Sequence, residues 1–453
     1  MISTPFLASL LETRRATKLT QSYSTHRCSP TRAALLTGRY PFRYGLGSDP
    51  MSKTLPTGLD LSEKLLPHFL KENGYKTYAY GKWHLGFGNS SYLPESRGFD
   101  SFYGFYGCQT DYFTHEVNMN PVLKKKTSNY FIGSNLNEAK KGKYITTDLA
   151  DQVIEQIKSD QASNSPYFSY VAFNAPHEPI SAPERTINYI KRMYEERYPG
   201  RELNRGFLEY QSAIYVMDQA GVFKLMLRSY CNALESVSKW LPSFRCSPLT
   251  NQRTSKNHQS ENPSQSIKRM FEVLKRRRET IVIFMGDNGA AIHSGDSNDL
   301  TDEDFDDEID QSNENTKVYQ KRGCNFPYRG KKSTFLEGGT LSPTIVWSSS
   351  SKRLFPKITN TNLVHIVDWF PTILKLTGVN SITSAKPLDG VNQIESIFER
   401  KKVWRKRKKE VYQAREGFIY GIRHIYKNNG KKKIELTVTD QAGSGETYDR
   451  VNL

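Results

Sequence analysis

Cysteine is scarce in this chain of 453 residues: five in all, an odd number at wide spacing and with no C-x-x-C pair. That excludes a disulfide framework and a thiolate metal knuckle. Long apolar runs are missing too. Nothing approaches the roughly 18 residues that a transmembrane helix needs, so no membrane span is expected. The first residues, M-I-S-T-P-F-L-A-S-L-L-E-T-R-R, have no basic n-region, and Ser, Thr and Pro break their apolar stretch. They do not read as a signal peptide. Acidic residues are in deficit, 47 against 64 Lys and Arg, for a formal net charge of +17. Such a balance favours polyanionic partners: nucleic acid, anionic lipid surfaces or sulfated polysaccharide. Much of the excess lies in runs at 124–126, 275–278 and 401–409, which read as solvated surface.

Aromatic residues, by contrast, are abundant, with 26 Tyr, 23 Phe and 5 Trp, so the chain as a whole is not a disordered one. Its length suits one large domain plus a smaller one. Apolar periodicity predicts helices over 61–74, 146–158 and 363–378. It predicts strands over 75–80, 167–173, 280–285 and 343–347. Alternating helix and strand is the mark of an α/β protein, with a largely parallel sheet flanked by helices. Beyond about residue 410 the pattern changes to short strands around N-N-G-K, which predicts a small antiparallel end domain. The expected division is therefore 1–400 and 401–453. Two segments fit neither part: 223–266, polar and aperiodic, and 296–316, acidic and of low complexity. Both read as disordered insertions.

Three polar clusters follow the carboxyl ends of predicted strands: G-K-W-H-L-G around His84, N-A-P-H-E-P around His177, and G-D-N-G-A with Asp287 and Asn288. Open α/β sheets bind ligands at that edge. Taken singly, a loop histidine, an Asn-Gly turn or a Lys-Lys pair is ordinary surface. A further stretch, C-S-P-T-R-A-A-L-L-T-G at 28–38, opens a helix. Ser29 is suited to an N-cap and Pro30 to the first helical turn. Arg32 follows Cys28 by about one turn, so a sulfur, an arginine and an anion-attracting helix N-terminus share one place. Cysteine phosphatases space their arginine six residues after the cysteine, not four.

These blocks together carry a resemblance. C-S-P-T-R-A-A-L-L-T-G-R-Y (28–40), G-Y-K-T-Y-A-Y-G-K-W-H-L-G (74–86), A-P-H-E-P, G-D-N-G-A, Y-R-G-K-K-S-T-F-L-E-G-G-T (328–340) and D-W-F-P-T stand in the order found in type I sulfatases. Within that family the chain most closely resembles the arylsulfatase B group. The resemblance implies an alkaline-phosphatase-like α/β fold. It also implies hydrolysis of sulfate esters on sulfated glycans, by likeness the 4-sulfate of N-acetylgalactosamine, and glycosaminoglycan degradation in a lysosomal or secreted setting. No nucleic-acid partner is implied. Cys28 matches the cysteine that a formylglycine-generating enzyme oxidises in the endoplasmic reticulum. The hydrated aldehyde attacks sulfur with one hydroxyl and releases sulfate through the other, which a plain Cys or Ser lacks. Asp287 and Asn288, with the modified Cys28, match ligands of Ca2+. Arg32 matches the residue that orients the modified side chain. Lys82 and Lys332 match lysines that hold sulfate, Lys332 being preferred to Lys331 by alignment of R-G-K-K. His177 matches the histidine at the leaving oxygen, and His84 the one that bonds the formylglycine.

The chain also departs from the family pattern. Sulfatases begin with a strand ending in a D-D-x-G block that supplies two more calcium ligands, and no such block precedes S-T-P-F-L-A-S-L-L. The pair Asp306-Asp307 lies in the acidic insertion and is no substitute. The expectation is an N-terminally incomplete sulfatase, with 223–266 as retained intron, without which M-D-Q-A would join I-K-R-M-F-E-V-L-K as one helix, and a shortened end domain. A catalytically inactive, glycan-binding relative is the alternative. One N-linked glycosylation sequon, Asn89-Ser90-Ser91, accords with a secretory family.

Overall fold

A computed structural model describes residues 4–47, 50–51, 56–120, 125–163, 165–219, 280–291, 325, 327–349, 355, 358–379, 386–398, 409–413, 420–428, 431–439 and 445–449. Both presumed insertions, and the junction between them and M-D-Q-A, lie outside these residues.

The described part of the catalytic region is built on two sheets. In the first, β11 (Thr359–His365), β1 (Ala16–Tyr23), β10 (Thr344–Ser348) and β9 (Ile281–Phe284) lie in that order. The β1–β11 pair is parallel, with Gln21–Tyr23 against Leu363–His365; the other two pairings are antiparallel. The second sheet runs β7 (Asn135–Leu136), β6 (Phe131–Ile132), β3 (Ser101–Phe105), β2 (Lys76–Lys82) and β8 (Tyr167–Ala172). Here β2 is parallel to both β3 and β8. A short ribbon of β4 (Glu116–Asn120) and β5 (Lys125–Ser128) stands apart. The fold is thus mixed α/β, with β8 and β9 as terminal strands of their sheets.

Side-chain alternation divides the interior into two cores. Tyr78, Tyr80, Val171, Val282, Phe284, Ile345 and Trp347 face one. Ala79, Phe168, Tyr170, Ile283 and Val346 face the other. Each core therefore draws on both sheets. Helices cover the first with Leu149, Val153 and Ile157 of α4 (Ile145–Ser163) and with Ala213, Ile214 and Met217 of α6 (Arg205–Gln219). The second is covered by α2 (Cys28–Thr37), α3 (Leu66–Glu72) and α8 (Trp369–Leu376), through Leu35, Leu36, Phe69, Leu70, Phe370 and Ile373. A satellite cluster joins α5 (Glu184–Arg197) to α6. Two further elements complete the helices, α7 (Glu337–Thr340) and α9 (Ile394–Phe398). The first helix, α1 (Pro5–Leu10), ends its free N–H groups on a carboxylate: Phe6 N and Leu7 N donate to Asp218 at 2.9 and 3.0 Å.

Three sequence expectations need correction. The helix expected over 363–378 begins only at Trp369; Leu363–His365 instead ends β11, where pairing with β1 overrides an apolar run that suits either period. Asp368 makes the break, accepting from His365 N at 3.0 Å and Val391 N at 2.8 Å. The helix expected over 61–74 shortens to Leu66–Glu72, because Glu63 is drawn into an ion cluster with Arg39 (3.2 Å) and Lys386 (2.7 Å). The helix expected over 146–158 extends to Ile145–Ser163.

Toward the C-terminus four strands, β12 (Lys409–Gln413), β13 (Tyr420–Asn428), β14 (Lys431–Thr439) and β15 (Gly445–Asp449), form one antiparallel sheet in sequence order. Among the described residues no helix is long and apolar enough to cross a membrane.

Candidate active site

Helix α2 presents Cys28 at its first turn. The chain leaves β1 at Tyr23, passes through Ser24–Arg27 and enters the helix at Cys28, with Arg27 as N-cap in extended conformation. Thr31 ties the entry down: its Oγ1 donates to Asp287 O at 2.7 Å and accepts from Thr25 N at 3.1 Å. Gly38, left-handed at φ 69°, ends the helix. Cys28 is buried, and its thiol donates to Asn288 Oδ1 at 3.4 Å.

One turn on, Arg32 is fully enclosed and spans the two sheets. One terminal nitrogen donates to Lys82 O (2.8 Å), at the end of β2, and to Tyr170 Oη (3.0 Å) on β8. The other donates to Asp287 Oδ2 at 2.8 Å, just beyond β9. Burial opposes the charge, but Tyr170 and Asp287 outweigh it and hold the guanidinium above its usual value. Arg32 is thereby committed to structure at the site's floor.

Asp287 has a second oxygen. Its Oδ1 is buried and lacks a hydrogen-bond partner, an arrangement that costs free energy unless something cationic meets it. Asn288 turns its Nδ2 to Gly289 O at 2.9 Å, which aims the amide oxygen toward Cys28. Two hard oxygen donors beside one sulfur fit part of a calcium shell, which takes six to eight oxygens. No group of three or more His, Cys, Asp or Glu side chains that could hold a metal occurs among the described residues. The donor set on hand is therefore partial.

Basic groups surround the sulfur. Lys82 is 2 % exposed, and its Nζ has no hydrogen-bond partner. The residue before it, Gly81, adopts φ 81°, and a Cβ there would meet Ala172 O at 1.9 Å. Only glycine lets β2 and β8 close up at this point. Lys332 is held by its backbone, with N donating to Ala290 O at 3.0 Å. Burial works against ionisation of Cys28, yet Lys82 and Lys332, followed by His177 and His84, hold its thiol well below the usual range. Of the adjacent lysines, it is Lys332 whose charge acts there.

The two histidines are oriented through their far nitrogens. A carbonyl only accepts, so His84 Nε2, 3.0 Å from Met51 O, carries the proton, and the enclosed Nδ1 is left as an acceptor. His84 stands at φ 56°, unusual for a side-chain-bearing residue, fixed by its N–H on Tyr106 O at 2.9 Å. Burial, then the charge of Lys82, lowers its pKa to about 4. His177 Nδ1 donates to Glu178 O at 2.8 Å, leaving Nε2 as its free ring nitrogen. Tyr112 Oη, donating to His177 O at 2.9 Å, and Asn174, donating to Thr110 O at 2.8 Å, brace that loop. Neither imidazole completes a hydrogen bond of normal geometry to the sulfur.

All eight residues singled out from the motifs, Cys28, Arg32, Lys82, His84, His177, Asp287, Asn288 and Lys332, thus surround one point. Sequence reasoning missed Thr31, Tyr170, Tyr112 and Met51. Only Tyr170 left a signal, as a polar-tipped residue inside an apolar strand. The sequon also has a clear setting: Asn89 is exposed, and its Oδ1 accepts from Ser91 N at 2.9 Å.

Comparison with known proteins gives the family and the fold. The sulfatase family profile matches residues 1–379. Arylsulfatase J of Mus musculus is 29% identical over 401 residues, covering 88% of this chain and 52% of that protein. N-acetylgalactosamine-6-sulfatase of Rattus norvegicus is 27% identical over 383 residues, covering 82% of this chain and 57% of that protein. The chain therefore spans little more than half the length of these curated relatives. In fold it is similar to the crystal structure of Ps i-CgsB, with TM-score 0.67 at 21% identity over 99% of this chain and 81% of that one. The complex of Ps i-CgsB with k-i-k-neocarrahexaose gives 0.64 at 20% identity, over 99% and 80%. With the mixed sheets, the convergent blocks and a profile match over most of its length, the chain belongs to the type I sulfatase family.

Proposed function

We propose that this chain is the catalytic part of an arylsulfatase-type sulfuric ester hydrolase acting on sulfated glycans, with Cys28 carried as formylglycine and Ca2+ at Asp287 and Asn288. The observation that carries the reading is the setting of Cys28: a buried sulfur 3.4 Å from Asn288 Oδ1, made anion-favouring by Lys82 and Lys332, with the neighbouring Asp287 Oδ1 unsatisfied. The thiol stands where the hydroxyls of formylglycine would stand.

Formylglycine supplies two hydroxyls on one carbon, one for attack at sulfur and one for release of sulfate, and Ca2+ supplies a Lewis acid. The chain's own groups do the rest. Lys82 Nζ and the Lys332 ammonium bind sulfate oxygens, where negative charge grows. Asp287 Oδ1 and Asn288 Oδ1 hold the cation. Arg32 keeps Asp287 and the floor of β2 in place. His84 Nδ1, unprotonated above about pH 4, accepts a proton from the nucleophile's side. His177 Nε2 serves the leaving oxygen, its ring direction set by Glu178 O.

Relatives named as an arylsulfatase and as an N-acetylgalactosamine-6-sulfatase support sulfate ester hydrolysis, and a structural neighbour bound to a carrageenan oligosaccharide supports a glycan substrate. We read the ester as the 4-sulfate of N-acetylgalactosamine, on likeness to arylsulfatase B in the motifs, and parallel assays of the 4- and 6-sulfates test that choice. The same reading carries oxidation by a formylglycine-generating enzyme, a lysosomal or secreted product, and a glycan on the exposed Asn89. It also carries the division at residue 400.

The decisive experiment is mass spectrometry of the Cys28 peptide after secretory expression, paired with hydrolysis of an aryl sulfate with and without a calcium chelator. Conversion of Cys28 and chelator-sensitive turnover are expected. Unmodified Cys28 with retained glycan binding would instead establish the non-catalytic alternative.

A further inference from the structure

Four arginines are buried among the described residues: Arg27, Arg32, Arg39 and Arg97. Three have acceptors. Arg32 has Asp287, Tyr170 and Lys82 O. Arg39 has Glu63 and Pro387 O, and Arg97 has the carbonyls of Leu59, Asp60 and Glu63. Among the described residues Arg27 has none: it is 8 % exposed, and its Nε is enclosed without a hydrogen-bond partner. A largely buried guanidinium left unpaired is unfavourable, since desolvation is uncompensated.

Its position is specific. Arg27 is the N-cap of α2, directly before Cys28, and its backbone is fixed by Thr25 Oγ1 donating to Arg27 O at 3.0 Å. On its other side, His26 O accepts from Ser333 N at 3.0 Å, and the His26 ring packs edge-on against Phe335 at 4.3 Å. The Arg27 backbone therefore stands between Cys28 and the residue that meets the turn carrying Lys332. Lys82 Nζ, also enclosed and unbonded, already answers to the ester sulfate in the proposed reaction. Arg27, the residue directly before Cys28, is a further buried cation with an unbonded nitrogen.

We propose that Arg27 binds a second oxyanion of the substrate, a sulfate or carboxylate carried next to the ester that is cleaved. A guanidinium presents paired N–H groups at the spacing of such oxygens and keeps its charge when desolvated. The proposal rests on the sulfatase reading of Cys28. It makes the enzyme selective for doubly anionic sugars over isolated sulfate esters.

The test compares the full chain with Arg27→Gln and Arg27→Lys on four substrates: an aryl monosulfate, a neutral monosulfated N-acetylhexosamine, its disulfated form, and a disaccharide joining the monosulfated sugar to a uronate. The expected result is a fall in kcat/KM on the doubly anionic substrates on the order of tenfold beyond that on the monosulfates, the worth of a charged hydrogen bond. The loss should appear in KM, with partial recovery in Arg27→Lys. A fall confined to the disulfated or to the uronate substrate identifies the oxyanion. Equal loss on all four substrates, or no loss on any, overturns the proposal. If the unsubstituted chain cleaves none of them, the catalytic reading fails separately. Equilibrium binding of the same sugars then decides: weaker binding of the doubly anionic ones by Arg27→Gln supports the proposal, and equal binding overturns it.

Discussion

Arg32 and Asp287 form a fully buried ion pair at 2.8 Å that joins the first helix turn of the site to the end of β9. The same guanidinium reaches Tyr170 on β8, so one side chain links the terminal strands of both sheets. Removing one partner strands the other charge in the interior. Arg32→Ala is expected to cost about 3–5 kcal/mol of stability and to abolish turnover. Asp287→Asn, which keeps the shape, should lose calcium dependence and activity with a smaller stability loss. Chemical denaturation of both variants and of the double variant measures the coupling.

Lys82 places an unbonded ammonium beside Cys28. In the unconverted protein, Lys82→Ala should raise the thiol's pKa, read from thiolate ultraviolet absorbance against pH. In the converted enzyme it should lower kcat/KM by roughly 10²–10³, as for loss of one group that stabilises transition-state charge. An unchanged thiol titration would remove Lys82 from the site.

Ser29 acts at a distance through Met51. Its Oγ accepts from Met51 N at 3.0 Å, while Met51 O receives His84 Nε2. Ser29→Ala frees that segment and loosens the tautomer of His84. The expected effect is about 1 kcal/mol on stability, with kcat lowered more than KM is raised. Nitrogen chemical shifts of the imidazole, moving toward a mixture of tautomers, distinguish this from simple destabilisation.

His26 is buried against Phe335, and burial followed by the charge of Arg27 lowers its pKa to about 3. The unfolded chain takes up the proton first, near pH 6.5. Stability from this group is therefore complete above that value and declines as pH falls from about 6.5 to about 3. The slope approaches 1.4 kcal/mol per pH unit, at about one proton of difference. His84 adds a like contribution down to about pH 4. His26→Phe should flatten the curve of denaturation free energy between pH 6 and 4 (roughly the upper part of that window); an unchanged slope would show that other groups govern it.

How much of this was legible beforehand depended on distance along the chain. Cys28 and Arg32 could be placed because four residues make one helical turn, and Asp287 because it ends an apolar strand. The partners that fix them could not. Tyr170 meets Arg32 across 138 positions, and Ser29 meets Met51 across 22, with no local pattern in either case. β1 escaped notice for another reason. Thr17, Lys18, Gln21 and Ser22 are buried within it, so a central strand carries polar letters. His365 was misread as helical because pairing with β1, a non-local term, decides between two periods that Leu363–Val367 satisfies equally.

The loops of Asp287 and Lys332 come from separate blocks, yet their main chains touch. Gly289 N donates to Gly339 O at 2.8 Å, and a Cβ on Gly289 would lie 1.6 Å from Gly338 O. The spacing between Asp287 and Lys332 is thus a property of backbone rather than of side-chain choice. Any reshaping here would have to proceed around that seam, on the outer wall, because the smallest methyl added at the seam prises both loops apart together.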